Sequence, residues 1–252
     1  MSPAPLNPSQ WHEAIVGDLP VRQVVENIAH EKNLWFKAVL DATAPGDALL
    51  ELGCGTGVFS GILAKNGRRT TLLDYSEKSV EFCREVFAQA HLPGEFIQAD
   101  VCLTFPFEDD RFDCTWSSGL LEHFTDEQLA FILKESARVS RQCVVSLVPN
   151  ARSLFYRVGK GYQEAHGLWR WGKEDPKRTL KPFFAQAGLA DVREFAIDVK
   201  TAIDFACAIR SPWLRRSLLL LYRLLPEKAW NALGQGYLLV TIGTKKSQSS
   251  FL

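Results

Sequence analysis

The sequence lacks a charge imbalance, paired cysteines and long apolar runs. It carries 29 basic and 29 acidic residues, so nothing favours a polyanion partner such as nucleic acid. None of its six cysteines forms a C-x-x-C pair, which favours buried thiols over a metal site or disulfides. No run reaches the length of a membrane span, and Met1 to Gln10 show no basic, apolar signal segment. We therefore expect a cytoplasmic protein without a metal site or a nucleic-acid partner.

Internal repeats and linkers rich in serine and glycine are also missing. A chain of 252 residues is of normal length for one α/β domain with additions. We therefore predict a single domain over residues 1–252, with a helical cover at 1–44 and a core at 45–150. The same domain contains two insertions on the substrate side, at 151–181 and 200–234.

The rest of the chain is organised around a glycine-rich stretch. The apolar run Ala48–Leu52 has the length of a buried strand. Glu51 lies near its end, and Gly53, Gly55 and Gly57 follow. Apolar residues with helical spacing come next, which predicts a strand, a tight turn and a helix, the first unit of a doubly wound sheet. Glycine lets such a turn bend sharply and lets a ligand approach the backbone, although a turn without a ligand would need glycine too.

The spacing of these glycines separates two kinds of nucleotide-binding turn. A dinucleotide-binding turn would place its third glycine at Val58, one residue after Gly57. Asp74 ends the next apolar run, at about the distance where an acid reaches ribose hydroxyls. The pattern E-x-G-x-G-x-G from Glu51, followed by Asp74, resembles the class I S-adenosylmethionine-dependent methyltransferases.

This resemblance implies S-adenosylmethionine as the cofactor and S-adenosylhomocysteine as its product. In the family the glycine turn holds the methionine part, the acid after the second strand binds the ribose, and an acid after the third strand meets the adenine. Asp100 is the corresponding acid here, and a turn or cap residue is the alternative for it. The implied cofactor-binding residues are Glu51, Gly53, Cys54, Gly55, Gly57, Asp74, Tyr75, Asp100, Val101 and Ser117.

A second motif narrows the resemblance to the small-molecule branch. Residues Phe112 to His123 match the pattern F-D-x-x-x-S-x-x-x-L-E-H of the type 11 methyltransferases. The family's fold is a doubly wound, seven-stranded, mostly parallel sheet, and its last strand, here Tyr237 to Gly243, runs antiparallel between strands five and six. Protein arginine methyltransferases place two glutamates after strand four, whereas only Glu122 stands here. The resemblance therefore implies a small organic acceptor.

The additions to the core are less regular. Trp11 to Ala44 predicts two helices, the second around His30 to Leu40, which cover the cofactor pocket or pack on the sheet edge. Residues 151–181 mix aromatic, basic and glycine residues and predict neither a clean helix nor a clean strand. Because loops on a rigid scaffold carry specificity, we expect Phe155 to Trp171 to wall the acceptor pocket. Arg157 and Arg170 would suit an acidic or electron-rich ring.

The segment Ser211 to Leu233 is rich in leucine and arginine. The favoured interpretation is a helical cap whose leucines pack on the domain while its basic residues stay in water. The alternative is an exposed apolar face that contacts a second copy, a membrane surface or an apolar acceptor. The segment is too short to span a bilayer, and Lys245 to Leu252 should form a loose tail.

Methyl transfer from a sulfonium is an in-line displacement that mainly needs alignment and exclusion of water. A base is required only for a nucleophile that is protonated at neutral pH. His123 and His166 are the candidate catalytic residues, although His123 could instead brace a helix and His166 could be an exposed loop residue. We expect transfer to oxygen rather than nitrogen or carbon. The alternatives are a cofactor-binding module and a non-methylating enzyme on the same fold, such as an aminopropyl transferase.

Overall fold

The structure is a computed structural model that describes residues 6–31, 35–207 and 212–245, apart from the side chains at 212, 214 and 215. Some expectations fall outside the described residues. They concern Leu34 of the predicted second helix, Ser211 at the start of the leucine-rich segment, and the tail beyond Lys245.

Strands of the described part form one seven-stranded sheet. They are β1 Ala48–Leu52, β2 Arg69–Asp74, β3 Glu95–Gln98, β4 Phe112–Ser118, β5 Ser140–Pro149, β6 Leu189–Ile197 and β7 Leu238–Lys245. Their order is β3-β2-β1-β4-β5-β7-β6. Strand β7 is antiparallel to β5 and β6, and the other neighbours are parallel. The predicted doubly wound, mostly parallel sheet with an antiparallel last strand is confirmed.

Helices cover both faces of this sheet. They are α1 Pro8–Ile15, α2 Val21–His30, α3 Lys37–Asp41, α4 Val58–Lys65, α5 Glu77–Gln89, α6 Asp126–Val139, α7 Leu154–Ala165, α8 Lys181–Gln186, α9 Val199–Ala206, α10 Pro212–Tyr222 and α11 Glu227–Ala232, with a 3-10 turn at Leu121–His123. All five residues of β1 are buried. The strand order reverses between β1 and β4, and ligands bind at the carboxyl ends of strands beside such a reversal.

The N-terminal region differs from the two helices predicted. Its described part forms α1, α2 and α3, and no helix runs from His30 to Leu40 there. Helix α2 ends because Glu31 adopts a left-handed backbone with φ 47°, a conformation that interrupts a right-handed helix. Helix α3 then begins at Lys37. The apolar spacing indicated helix correctly but carried no signal for this break.

The first insertion also differs, because residues 154–165 form the regular helix α7. The Ser153 hydroxyl accepts a hydrogen bond from the Tyr156 N–H and caps the helix start. Gly159 lies against α9, where an added Cβ would come within 2.4 Å of the Phe205 carbonyl oxygen. Gly159 therefore permits close packing between two helices.

Helix α10 has both packed and exposed residues among its described side chains. Its Leu218, Leu219 and Tyr222 contact the cluster that joins α7, α9 and α11, as the cap interpretation predicts. Leu220 and Leu224 remain 63% and 71% exposed. Within the described part of the chain, no helix combines the length and the hydropathy needed to cross a bilayer. We propose that both insertions and the core act as one domain.

Candidate functional site

A cavity of about 500 Å³ opens at the carboxyl ends of β1, β2 and β4. The glycine turn after β1 forms one wall, and α1 lies across it. The loop after β4 and residues 169–174 of the first insertion form the opposite wall. The cavity therefore lies at the strand reversal, where the topology predicts a ligand site.

The glycine turn is shaped by backbone conformations that favour glycine. Gly53 and Gly55 have φ values of 67° and 53°. An added Cβ would lie 2.8 Å from Leu120 Cδ1 at Gly53 and 2.9 Å from Ile15 Cγ2 at Gly55. Both glycines line the cavity. Gly57 does not line the cavity. An added Cβ there would lie 2.9 Å from Cys83 Sγ, so Gly57 permits close packing behind the turn.

Glu51, the residue before the last of β1, carries a buried carboxyl group that lines the cavity. Its Oε2 has no hydrogen-bond partner among the described residues. Burial, with a smaller contribution from Asp74, raises the pKa of Glu51 to about 8. A buried acid is stable when a ligand supplies the missing donor or positive charge. Glu51 is therefore suited to bind a cationic or hydrogen-bond-donating group.

Asp74, at the end of β2, links the turn to the second strand. One carboxylate oxygen accepts the Gly55 N–H at 3.2 Å and the other accepts the Ser76 N–H at 2.9 Å. Burial raises the pKa of Asp74, although these backbone hydrogen bonds oppose the shift. The carboxylate still lines the cavity, beside Tyr75. Its remaining lone pairs can accept hydrogen bonds from a ligand.

The other predicted cofactor residues divide into two groups. Cys54, Asp100 and Val101 line the cavity, and Asp100 also accepts the Cys102 N–H at 2.8 Å, as a turn residue would. Ser117 does not line it, because its Oγ lies 3.3 Å from Ser146 Oγ inside the sheet. Strand β4 continues to Ser118, so the cavity wall begins one residue later than predicted.

His123 lines the cavity in a defined tautomer. Its Nδ1 lies 2.8 Å from the Lys173 carbonyl oxygen, and a carbonyl only accepts, so Nδ1 carries the hydrogen. Nε2 is then the acceptor of the neutral imidazole, 3.8 Å from Glu122 Oε1. Burial lowers the pKa of His123. The ring is also held edge-on against Trp11, with centroids 4.5 Å apart.

The second histidine candidate lies elsewhere. His166 is exposed at the end of α7, where its Nδ1 contacts the Tyr162 carbonyl oxygen at 2.8 Å and its ring stacks on Tyr162. It is absent from the cavity wall. The same holds for Arg157 and Arg170, which are both exposed. The expected wall of basic residues is therefore not formed by these arginines.

The first insertion contributes different residues to the wall. They are Trp169, Trp171, Lys173 and Glu174. The Asp175 N–H donates to the Glu122 carbonyl oxygen at 2.7 Å, which brings this segment against the 3-10 turn. Two glutamates, Glu122 and Glu174, therefore face one cavity, although the sequence shows only the first after β4. The aromatic composition of the insertion was the one sequence signal that pointed to this wall.

The N-terminal helices and the last strand supply further wall residues that the motifs did not indicate. Trp11 and Ile15 come from α1, Trp35 precedes α3, and Tyr237 precedes β7. Trp35 and Tyr237 stack with ring centroids 5.6 Å apart. The cavity thus has an end built from the glycine turn and an end built from aromatic and acidic side chains.

Residues 49–142 match a family model described as a methyltransferase domain. The chain is 35% identical over 136 residues to the malonyl-(acyl-carrier protein) O-methyltransferase of Erwinia pyrifoliae, a match that covers 52% of this chain and 46% of that one. The chain spans about half the length of the curated relatives that it matches.

Solved structures share the fold over most of the chain. An S-adenosylmethionine-dependent methyltransferase from Archaeoglobus fulgidus superposes with a TM-score of 0.58 at 18% identity, covering 93% of this chain and 98% of that one. The 4+2 cyclase SpnF superposes with a TM-score of 0.57 at 14% identity, covering 97% and 99%. At these identities the likeness shows the fold alone.

Proposed function

We propose that this chain transfers a methyl group from S-adenosylmethionine to a small organic acceptor. The match of residues 49–142 to a methyltransferase domain and the fold shared with a solved methyltransferase support this proposal. The observation that carries the proposal is the cavity at the carboxyl ends of β1 and β4. The family's cofactor motif forms one of its ends, and aromatic and acidic side chains form the other.

The residues at the motif end fit the cofactor. The unpartnered, buried Glu51 oxygen suits the ammonium of the methionine part. Gly53 and Gly55 leave the space that a Cβ would fill. Asp74 can accept hydrogen bonds from the ribose hydroxyls, and Asp100 from the adenine amine. When bound, the cofactor supplies a methyl group activated on a sulfonium.

Oxygen is the methylated atom that we propose, and His123 is the base. The neutral ring holds its Nδ1 hydrogen on the Lys173 carbonyl oxygen, so Nε2 is available to take the proton of an acceptor hydroxyl. The surrounding aromatic side chains exclude water from the reacting groups. The matched Erwinia relative is itself named as an O-methyltransferase, which supports oxygen as the methylated atom.

The test combines binding with product detection. Calorimetric titration with S-adenosylmethionine and S-adenosylhomocysteine measures cofactor binding. Incubation with a methyl-labelled donor and pools of hydroxylated metabolites then detects transfer. Binding with label in a product supports the proposal, and absence of binding contradicts it. Binding without label in any product favours the alternative of a cofactor-binding module or another reaction, as the SpnF fold illustrates.

Asp74→Ala should weaken S-adenosylmethionine binding by roughly 2–4 kcal/mol, because each charge-assisted hydrogen bond contributes about 1.5–3 kcal/mol and the bonds are not fully additive. Asp74→Asn, which keeps the shape and one acceptor oxygen, should lose less. Calorimetric titration measures both affinities, and circular dichroism melts check folding, since Asp74 also accepts the Gly55 and Ser76 amides. Unchanged affinity in Asp74→Ala would show that Asp74 does not bind the ribose.

A further inference from the structure

We propose that the acceptor is a small hydroxylated organic amine whose cationic group binds between Glu122 and Glu174, inside the aromatic end of the cavity. This inference rests on the proposed methyl transfer and specifies its substrate class. The ammonium is a recognition group, and the hydroxyl that faces His123 belongs to the same molecule.

The unpartnered carboxyl group of Glu122 is the first observation. Its side chain is 3% exposed and lines the cavity, and its Oε2 has no hydrogen-bond partner in the part of the chain that the structure describes. Burial, together with the nearby Glu174, raises the pKa of Glu122 well above its ordinary value. An ammonium group in the cavity would remove this penalty by supplying both a donor and a positive charge.

Glu174 adds a second carboxyl group to the same wall. The Tyr156 hydroxyl donates a hydrogen bond to its Oε1, which holds the side chain at the cavity. Burial raises the pKa of Glu174 as well. Two carboxyl groups that share a poorly solvated site disfavour each other's ionised form. A cation placed between them therefore stabilises both.

Two lysines lie near this pair, and the charge of Lys160 offsets part of the rise in the pKa of both glutamates. Lys160 Nζ lies 2.8 Å from Glu164 Oε1 and 3.6 Å above the Trp169 ring. Its charge is thus shared with another acid and an aromatic face. Lys173 lies at the wall with an exposed side chain, where water screens its charge.

Aromatic faces around the carboxyl groups are the second, independent observation. Trp11, Trp169, Trp171 and Tyr237 line this end of the cavity, with Lys160 over one face of Trp169 and Arg170 over one face of Trp171. Indole and phenol rings attract organic cations through their electron-rich faces. They also pack against a flat or apolar acceptor body. An anionic acceptor would instead meet two carboxyl groups with little solvent between them, which is unfavourable.

The experiment compares three phenols that differ only in the tail of the molecule. They are tyramine, with an ammonium; tyrosol, with a neutral hydroxyl; and para-hydroxyphenylacetate, with a carboxylate. Each is titrated calorimetrically into protein saturated with S-adenosylhomocysteine. We expect tyramine to bind about ten- to a hundredfold more tightly than tyrosol, from one charge-assisted interaction. Para-hydroxyphenylacetate should bind most weakly.

Variants that remove a charge test whether the preference for tyramine over tyrosol depends on Glu122 and Glu174. Glu122→Gln and Glu174→Gln keep the side-chain shape, and each should reduce the tyramine-to-tyrosol affinity ratio about tenfold or more. Glu85→Gln, an exposed change on α5, is the matched control and should leave the ratio unchanged. Tyrosol affinity and circular dichroism report any loss of folding, because a distorted pocket would weaken both ligands equally.

The outcomes separate this inference from the proposed function. Failure of S-adenosylhomocysteine to bind contradicts the methyltransferase assignment itself. If S-adenosylhomocysteine binds but tyramine shows no advantage over tyrosol, or if none of the three phenols binds, the amine assignment is overturned. It is also overturned if Glu122→Gln weakens cofactor binding and leaves the tyramine-to-tyrosol ratio intact, because the glutamate would then serve the cofactor.

Discussion

Gly55→Val is expected to abolish S-adenosylmethionine binding. Gly55 has a left-handed backbone with φ 53°, which a β-branched residue adopts only at a cost of about 1–3 kcal/mol. The new side chain would also enter the cavity, where a Cβ alone lies 2.9 Å from Ile15 Cγ2. The Gly55 N–H that donates to Asp74 would shift with it. Calorimetric titration should therefore detect no binding.

Gly167→Val is the matched control for this variant. Gly167 has a similar φ of 64°, but an added Cβ would meet nothing within 4 Å, and the residue does not line the cavity. Gly167→Val therefore introduces similar backbone strain but places no side chain in the cavity. Circular dichroism melts compare the folding of both variants. Normal binding by a folded Gly55→Val protein would show that the glycine serves only the turn.

His123→Gln is expected to lower kcat about 10²- to 10⁴-fold, the usual contribution of a general base, and to leave cofactor affinity unchanged. Glutamine can still donate a hydrogen bond toward the Lys173 carbonyl oxygen but accepts no proton at neutral pH. Steady-state kinetics with the acceptor found in the product screen measures this effect. His166→Gln should have no effect, because His166 is exposed and outside the cavity wall.

The pH profile distinguishes a base from a structural histidine. A base acts in its neutral form, and burial lowers the pKa of His123 below its ordinary value of 6.5. The kcat value at saturating cofactor and acceptor should therefore fall as the pH drops through a point below 6.5, and the variant should lack this acid limb. A variant that keeps both its kcat and the limb would indicate that His123 only braces the 3-10 turn.

Local patterns in the chain account for what could be predicted. Residues Ala48 to Gly57 contain a strand, a turn and a helix start within one short stretch, so residue spacing alone indicates them. Asp74 and Asp100 follow predicted strands directly, and parallel strands bring their carboxyl ends to one edge of the sheet. Ser117 lies inside the sheet and Ser118 in the cavity wall, because a shift of one residue at the end of β4 decides which side chain reaches the cavity.

Contacts between distant residues account for what could not be predicted. Glu174 reaches Glu122 because the segment that carries it bonds to the 3-10 turn through Asp175. His123 takes its tautomer from the Lys173 carbonyl oxygen, 50 residues later in the chain. Neither contact leaves a periodic pattern. The close approach of Gly159 in α7 to the Phe205 carbonyl oxygen in α9 is likewise a contact between distant residues.

The sequence by itself determined the fold class and the end of the cavity that carries the glycine turn, since strand, turn and helix periodicity and the acids at strand ends are local properties. Only the tertiary structure decided the composition of the acceptor end. It exposed Arg157 and Arg170 and turned Glu174, Trp169 and Trp171 toward the cavity. The physical reason is that the orientation of an insertion follows from where its apolar residues find a buried surface, and that surface is made by elements far away in the chain.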